Sequence, residues 1–212
     1  MKKIIIQSGF YNNVEQMQVL FSTLDYVKNE NILGGQICPM PYANQDMLKY
    51  IQGIITGNSE DEIFEFVPGS GTFIMNSEDE LPSLPICIQL PDLQTEWVGV
   101  LPLNESDEPH FLKFYTNKKT GWDGVPNSTE EFTKENIKSY QEFEQFLVNE
   151  NENWEDRWQE TSRIQFKKNE LILFKSTLFH SYMDTFGKDK ESARLLQFFF
   201  LKPKQIALPQ ES

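Results

Sequence analysis

From residue 63 onward the chain is written in short apolar runs separated by polar turns, and few folds accept that pattern. EIFEFV and TFIMN flank PGSG; PICIQL, EWVGVLPL and HFLKFYTN follow; SRIQF, ELILFK, LFHSYM and ARLLQFFFL close the series. Such runs, rich in Phe, Ile, Leu and Val and bounded by Gly, Pro, Asn and Asp, read as strands. PGSG reads as a hairpin turn, because its glycines take positive φ without steric cost. In the last run, alternation sends Phe198 and Phe200 to one side and Phe199 to the other.

Ahead of residue 63 the period is helical. After an opening strand in KKIIIQSGF, Asn12 or Asn13 caps a helix whose Val14, Met17, Phe21 and Leu24 share one face. A second helix runs through YANQDMLKYIQGII, with Met47, Ile51 and Ile54 or Ile55 on its apolar side. Gly34, Gly35, Pro39 and Pro41 mark the irregular connection between them. GWDGVPNSTEEF interrupts the sheet, and Ser128 with Glu131 three positions later is a capping box. The acidic segment from Thr129 to about Glu150 reads as a partly helical insertion packed through Phe132, Tyr140, Phe143 and Leu147. Trp154 and Trp158 should anchor it to the sheet. The pattern predicts an α+β, mainly β, protein built on a sandwich or barrel. It is read as a single domain, 1–212: N-terminal strand and helices over 1–60, a β core over 63–202, and the insertion at about 122–160. LKPKQIALPQES reads as a loose tail.

Seventeen Phe, four Trp and seven Tyr supply a sizeable core, which argues against disorder. The net charge of -13 disfavours nucleic-acid backbones and anionic membrane surfaces as partners. MKKIIIQSGFYNN holds too short an apolar run for a secretory signal, and no run approaches the roughly 18 residues that span a bilayer. Cys38 and Cys87 have no metal-finger spacing, and a reduced, cytoplasmic setting is the simpler expectation. GxGxxG, Walker, HExxH and GxSxG patterns do not occur.

Two polar residues stand out in LFHSYMDTFGKDKESARLLQFFF. His180 is one of two histidines in the chain, and Arg194 opens the final run. A neutral imidazole Nε2 is a common iron or zinc ligand. The planar donors of a guanidinium match a carboxylate. If DTFGKDKES is a hairpin loop, the two residues fall on neighbouring strands of one sheet. The competing reading makes His180 a hydrogen-bonded core histidine and Arg194 a structural partner. A metal site using His110, His180 and a carboxylate such as Asp107 or Glu108 is a further option, set against a plain exposed loop. Lys113, Tyr115 and Asp184 are candidates to line a pocket.

The succession FYNNVEQMQVLFSTLDY, EWVGVLPLN, FLKFYTNKKTG, NELILFKSTLFHS and ARLLQFFF resembles a branch of the 2-oxoglutarate/Fe(II)-dependent oxygenase superfamily. The resemblance implies a double-stranded β-helix of the jelly-roll or cupin-like kind, with N-terminal helices and a helical insertion. It implies Fe(II) and 2-oxoglutarate as cofactors of an active member, acting as a hydroxylase on an unknown substrate. His180 would match the distal metal histidine, and Arg194 the arginine that holds the far carboxylate of 2-oxoglutarate, with Lys113 and Tyr115 as further cofactor contacts. Active members carry His-x-Asp or His-x-Glu before the "GVLYLN" strand. PICIQLPDLQTEW has no histidine there, and Gln89 and Pro91 occupy the expected positions. Asp92 supplies a carboxylate if the register shifts by one, so the metal candidates are His180, Asp92 and Gln89. The alternative is a catalytically inactive β-helix that binds a small carboxylate or a protein partner.

Overall fold

A computed structural model describes residues 4–29, 34–57, 63–80, 84–88 and 94–204. In chain order the strands and helices are β1 Ile4–Ser8, α1 Val14–Ser22, β2 Val27–Lys28, β3 Gln36–Ile37, α2 Gln45–Thr56, β4 Phe64–Phe66, β5 Thr72–Asn76, β6 Trp97–Pro102 and β7 Phe111–Asn117. There follow α3 Thr129–Lys134, α4 Tyr140–Asn151, α5 Trp154–Arg157, β8 Trp158–Gln165, β9 Glu170–Lys175, β10 His180–Ser181 and β11 Arg194–Pro203. Helix starts follow local chemistry. The side chains of Asn13, Asn44, Ser128 and Ser139 each accept a backbone N–H from the first turn of their helix.

Two antiparallel sheets face each other. The larger has the order β1-β9-β6-β11-β5-β3-β2, with β4 also on β11; the smaller has the order β10-β7-β8. A bridge between Cys87 and His180 lays the 84–88 segment against the free side of β10. Along the core the chain visits the large sheet at β5, the small one at Cys87, the large at β6 and the small at β7 and β8. It then returns to the large sheet at β9, the small at β10 and the large at β11. That winding is a double-stranded β-helix, as the sequence resemblance implied.

Alternation along each strand sorts its side chains between layers. Val98, Val100, Leu112, Phe114, Ile172, Phe174, Leu196, Phe198 and Phe200 fill the space between the sheets. Trp97, Leu101, Leu171, Leu173 and Phe199 point the other way, onto Phe21 of α1 and Ile51 of α2. On the outer face of the small sheet, Tyr115, Trp158 and Phe179 pack against Phe143 and Leu147 of α4. The insertion therefore covers that sheet as expected, except that Tyr140 is 41% exposed and contributes little to the packing.

PGSG is not a hairpin. β4 pairs with Leu201–Pro203 and β5 with Arg194–Phe198, both antiparallel to β11. The two strands run along the same side of β11, separated by a short excursion. Gly71 at φ +89 makes this possible, since a Cβ there would stand 2.4 Å from the Tyr42 carbonyl carbon. No described helix is long and apolar enough to cross a membrane. The last residues of the expected tail, 205–212, lie outside the described residues.

Candidate functional site

His180 sits between two partners. Across β10 it pairs with Phe114 of β7, and on the other side its backbone exchanges two hydrogen bonds with Cys87, at 2.9 and 3.0 Å. The imidazole is fully buried. Its Nδ1 lies 2.7 Å from the Leu178 carbonyl, which can only accept, so Nδ1 carries the proton and Nε2 presents a lone pair. That Nε2 faces the Cys87 Sγ at 3.7 Å. The rings of Phe174 and Tyr182 close in, each centred 4.9 Å away. Burial lowers the histidine to about 4, against the bond to Leu178. Burial also pushes the Cys87 thiol up to about 12. At neutral pH the pair is a neutral imidazole beside a neutral thiol.

Arg194 opens β11 opposite Asn76 and is 2% exposed. One terminal nitrogen donates to the carbonyls of Tyr182 at 2.8 Å and Asp184 at 2.6 Å; the other donates to Asn76 Oδ1 at 3.0 Å. Nε has no acceptor. Burial lowers the guanidinium to about 10, with Asp184 and Tyr182 opposing, so it stays cationic at neutral pH. Among the described residues it forms no ion pair with a carboxylate. The Asp184 side chain instead accepts from Lys113 Nζ at 2.6 Å and from the Phe111 N–H at 3.1 Å. His180 and Arg194 do not share a sheet, contrary to the hairpin expectation: β10 belongs to the small sheet and β11 to the large one. The connecting segment crosses between layers, and Arg194 clasps it.

Lys113 and Tyr115 alternate with the inward-facing Leu112 and Phe114, and so lie on the outer face of the small sheet. Tyr115 packs edge-on to Trp154 there, and burial raises its phenol to about 12. Gln89, Pro91 and Asp92 lie outside the described residues. His110 bonds Ser106 Oγ at 3.0 Å and rests on the Phe186 ring at 4.9 Å. Burial lowers its pKa, with Asp184 opposing and Arg194 assisting.

At the mouth between the sheets Arg194 lines a cavity of about 20 Å³ with His110, Ser106 and Phe186. That cavity shares Asn104, Glu105, Ser106, Glu108, His110 and Phe186 with an open groove of about 760 Å³. Glu78, Asp107 and Glu191 complete the acidic wall of the groove.

No family model matches the sequence, and no characterised relative matches it. Solved structures do. HygX from Streptomyces hygroscopicus, with nickel, 2-oxoglutarate and hygromycin B bound, overlays 95% of this chain and 83% of its own at 13% identity and a TM-score of 0.50. A Pseudomonas putida prolyl-4-hydroxylase overlays 94% and 92% at 13% identity and a TM-score of 0.47. The chain has the 2-oxoglutarate/Fe(II) oxygenase fold.

On that oxygenase fold, the described residues do not by themselves make an Fe(II) site. Among them no three His, Cys, Asp or Glu side chains converge as a metal set. The one histidine between the sheets faces a protonated thiol, and it is the thiolate that binds metal. Arg194 donates three of its five N–H groups to its own chain, which leaves the Nε–H and one N–H of the terminal nitrogen that bonds Asn76. Sequence reading missed Cys87 and Asn76 as the partners of His180 and Arg194. Both sit in apolar, strand-like runs, and only the strand pairing brings them into place.

Proposed function

We propose that this chain is a non-catalytic binding protein on an oxygenase-type β-helix, holding a small carboxylate at the Arg194 mouth. One observation carries the reading: a buried guanidinium without a carboxylate partner among the described residues keeps unspent N–H groups, the Nε–H among them, beside a cavity that meets an open groove. Leaving a buried N–H unpaired costs about 1–3 kcal/mol, and a buried cation favours an anion. The His180 end supports the same reading from the other side, since its lone pair is directed at a neutral thiol among aromatic rings.

The alternative, an Fe(II)- and 2-oxoglutarate-dependent hydroxylase, is favoured by the oxygenase fold together with the presence of His180 and Arg194 on it. It requires ligands from Gln89 or Asp92. Anaerobic Fe(II) titration with and without 2-oxoglutarate, followed by succinate detection, separates the two. The binding-protein reading expects no tight iron and no succinate from folded protein, and a saturable response to pentanoate that Arg194→Gln abolishes. Tight iron lost in His180→Ala, with succinate formed, would overturn it.

A further inference from the structure

The groove that adjoins the Arg194 cavity carries the opposite charge to that residue. Its wall holds Glu78, Glu105, Asp107, Glu108 and Glu191. Glu78 is neutralised by Lys188 at 3.5 Å, and Glu105 accepts the Lys168 backbone N–H at 3.3 Å. Asp107, Glu108 and Glu191 form no ion pair among the described residues, and all three are exposed. Lys190, which adjoins Glu191 in sequence, is drawn off to the Leu24 carbonyl at 2.9 Å and lies over the Tyr26 ring. An acidic wall alone would say little. It matters here because the cavity it meets is lined by Arg194, 2% exposed and with an Nε–H unspent among the described residues.

We infer that the ligand of this mouth is zwitterionic, a small amino acid whose carboxylate oxygen accepts from Arg194 Nε and whose ammonium lies among Asp107, Glu108 and Glu191. The inference rests on the carboxylate reading above and adds the class of ligand. A dicarboxylate would bring its second charge against the acidic wall, whereas an ammonium offers three donors to it. His110 and Phe186 form the apolar flank for the methylene chain between the two charges. The wall is exposed, so each charge contact is screened and the preference should be moderate and salt-sensitive.

Four probes of matched length separate the two charges: 5-aminopentanoate, pentanoate, pentylamine and glutarate, titrated calorimetrically into the full chain at low ionic strength. 5-Aminopentanoate should bind roughly tenfold tighter than pentanoate, with glutarate weakest, as expected for a few screened contacts. The triple variant Asp107→Asn, Glu108→Gln, Glu191→Gln should erase the preference for 5-aminopentanoate over pentanoate while leaving pentanoate binding in place. Pentanoate or glutarate binding as tightly as 5-aminopentanoate would overturn the zwitterion inference and leave the carboxylate reading standing. Pentylamine binding as tightly as 5-aminopentanoate would overturn both, because the Arg194 end would then contribute nothing. Failure of all four probes to bind would likewise overturn both.

Discussion

The Nε2 lone pair of His180 faces the protonated thiol of Cys87 across 3.7 Å, inside the apolar layer between the two sheets. This pairing leaves the histidine neutral and makes it an acid-sensitive point of the core. Folded, it takes a proton only near pH 4; unfolded, it does so near the ordinary value of 6.5. Its contribution is therefore complete above about pH 6.5 and is lost as the pH falls toward 4, at a total cost of about 3 kcal/mol. Urea unfolding across that window should show the slope, and His180→Asn should flatten it. An unchanged slope in the variant would assign the acid sensitivity elsewhere.

Both cysteines are buried and unpaired, and the Cys87 thiol is raised by burial to about 12. A thiol-specific aromatic disulfide should label neither residue in the folded chain. Labelling in urea should follow the unfolding transition seen by tryptophan fluorescence. Rapid labelling of Cys87 without denaturant would contradict the closed core described above.

Arg194 holds the carbonyls of Tyr182 and Asp184 and the Asn76 amide oxygen together. Arg194→Met should leave these acceptors without their donor and cost about 3 kcal/mol in denaturant unfolding. Arg194→Lys should recover only part of that loss, because a single ammonium cannot reach acceptors set for a planar fork. Full recovery in the lysine variant would mean that charge, not geometry, holds the 182–184 segment.

Gly71 and Gly121 both have positive φ, at +89 and +74, but only Gly71 is crowded. Gly121→Ala meets nothing within 4 Å and should cost only the backbone strain, about 1 kcal/mol. Gly71→Ala adds a collision with the Tyr42 backbone at 2.4 Å and should destabilise by at least twice as much, read as a lower urea midpoint. Equal midpoints would argue that the 38–43 segment yields freely.

Much of the architecture could be read from local pattern. The first helix with a cap at Asn12 or Asn13, the helix start at Ser128, and the split of Phe198 and Phe200 from Phe199 all followed from spacing; the structure chooses Asn13 and ends that helix at Ser22. These are properties of a few consecutive residues, fixed by side-chain alternation and by the unsatisfied N–H groups of a first helical turn. Tyr140 failed for the same reason: periodicity names a face, not the depth to which that face is covered.

The candidate site was only half legible. His180 and Arg194 drew notice as polar residues in apolar strands, but which groups they meet depends on chain far removed in sequence. PGSG has the composition of a hairpin, yet β4 and β5 run along one edge of β11, because that strand is long enough to pair with both. By itself the sequence determined most strands of the core, the starts of α1 and α3 and which side chains share a face, while β2 and β3 fall in what reads as an irregular connection. The tertiary structure alone decided which sheet each strand joined, that Cys87 would close off His180, and that Arg194 would line a small cavity adjoining an acidic groove. Backbone pairing uses the same N–H and C=O groups at every residue, so the choice of partner is made by packing the whole chain rather than by any local run.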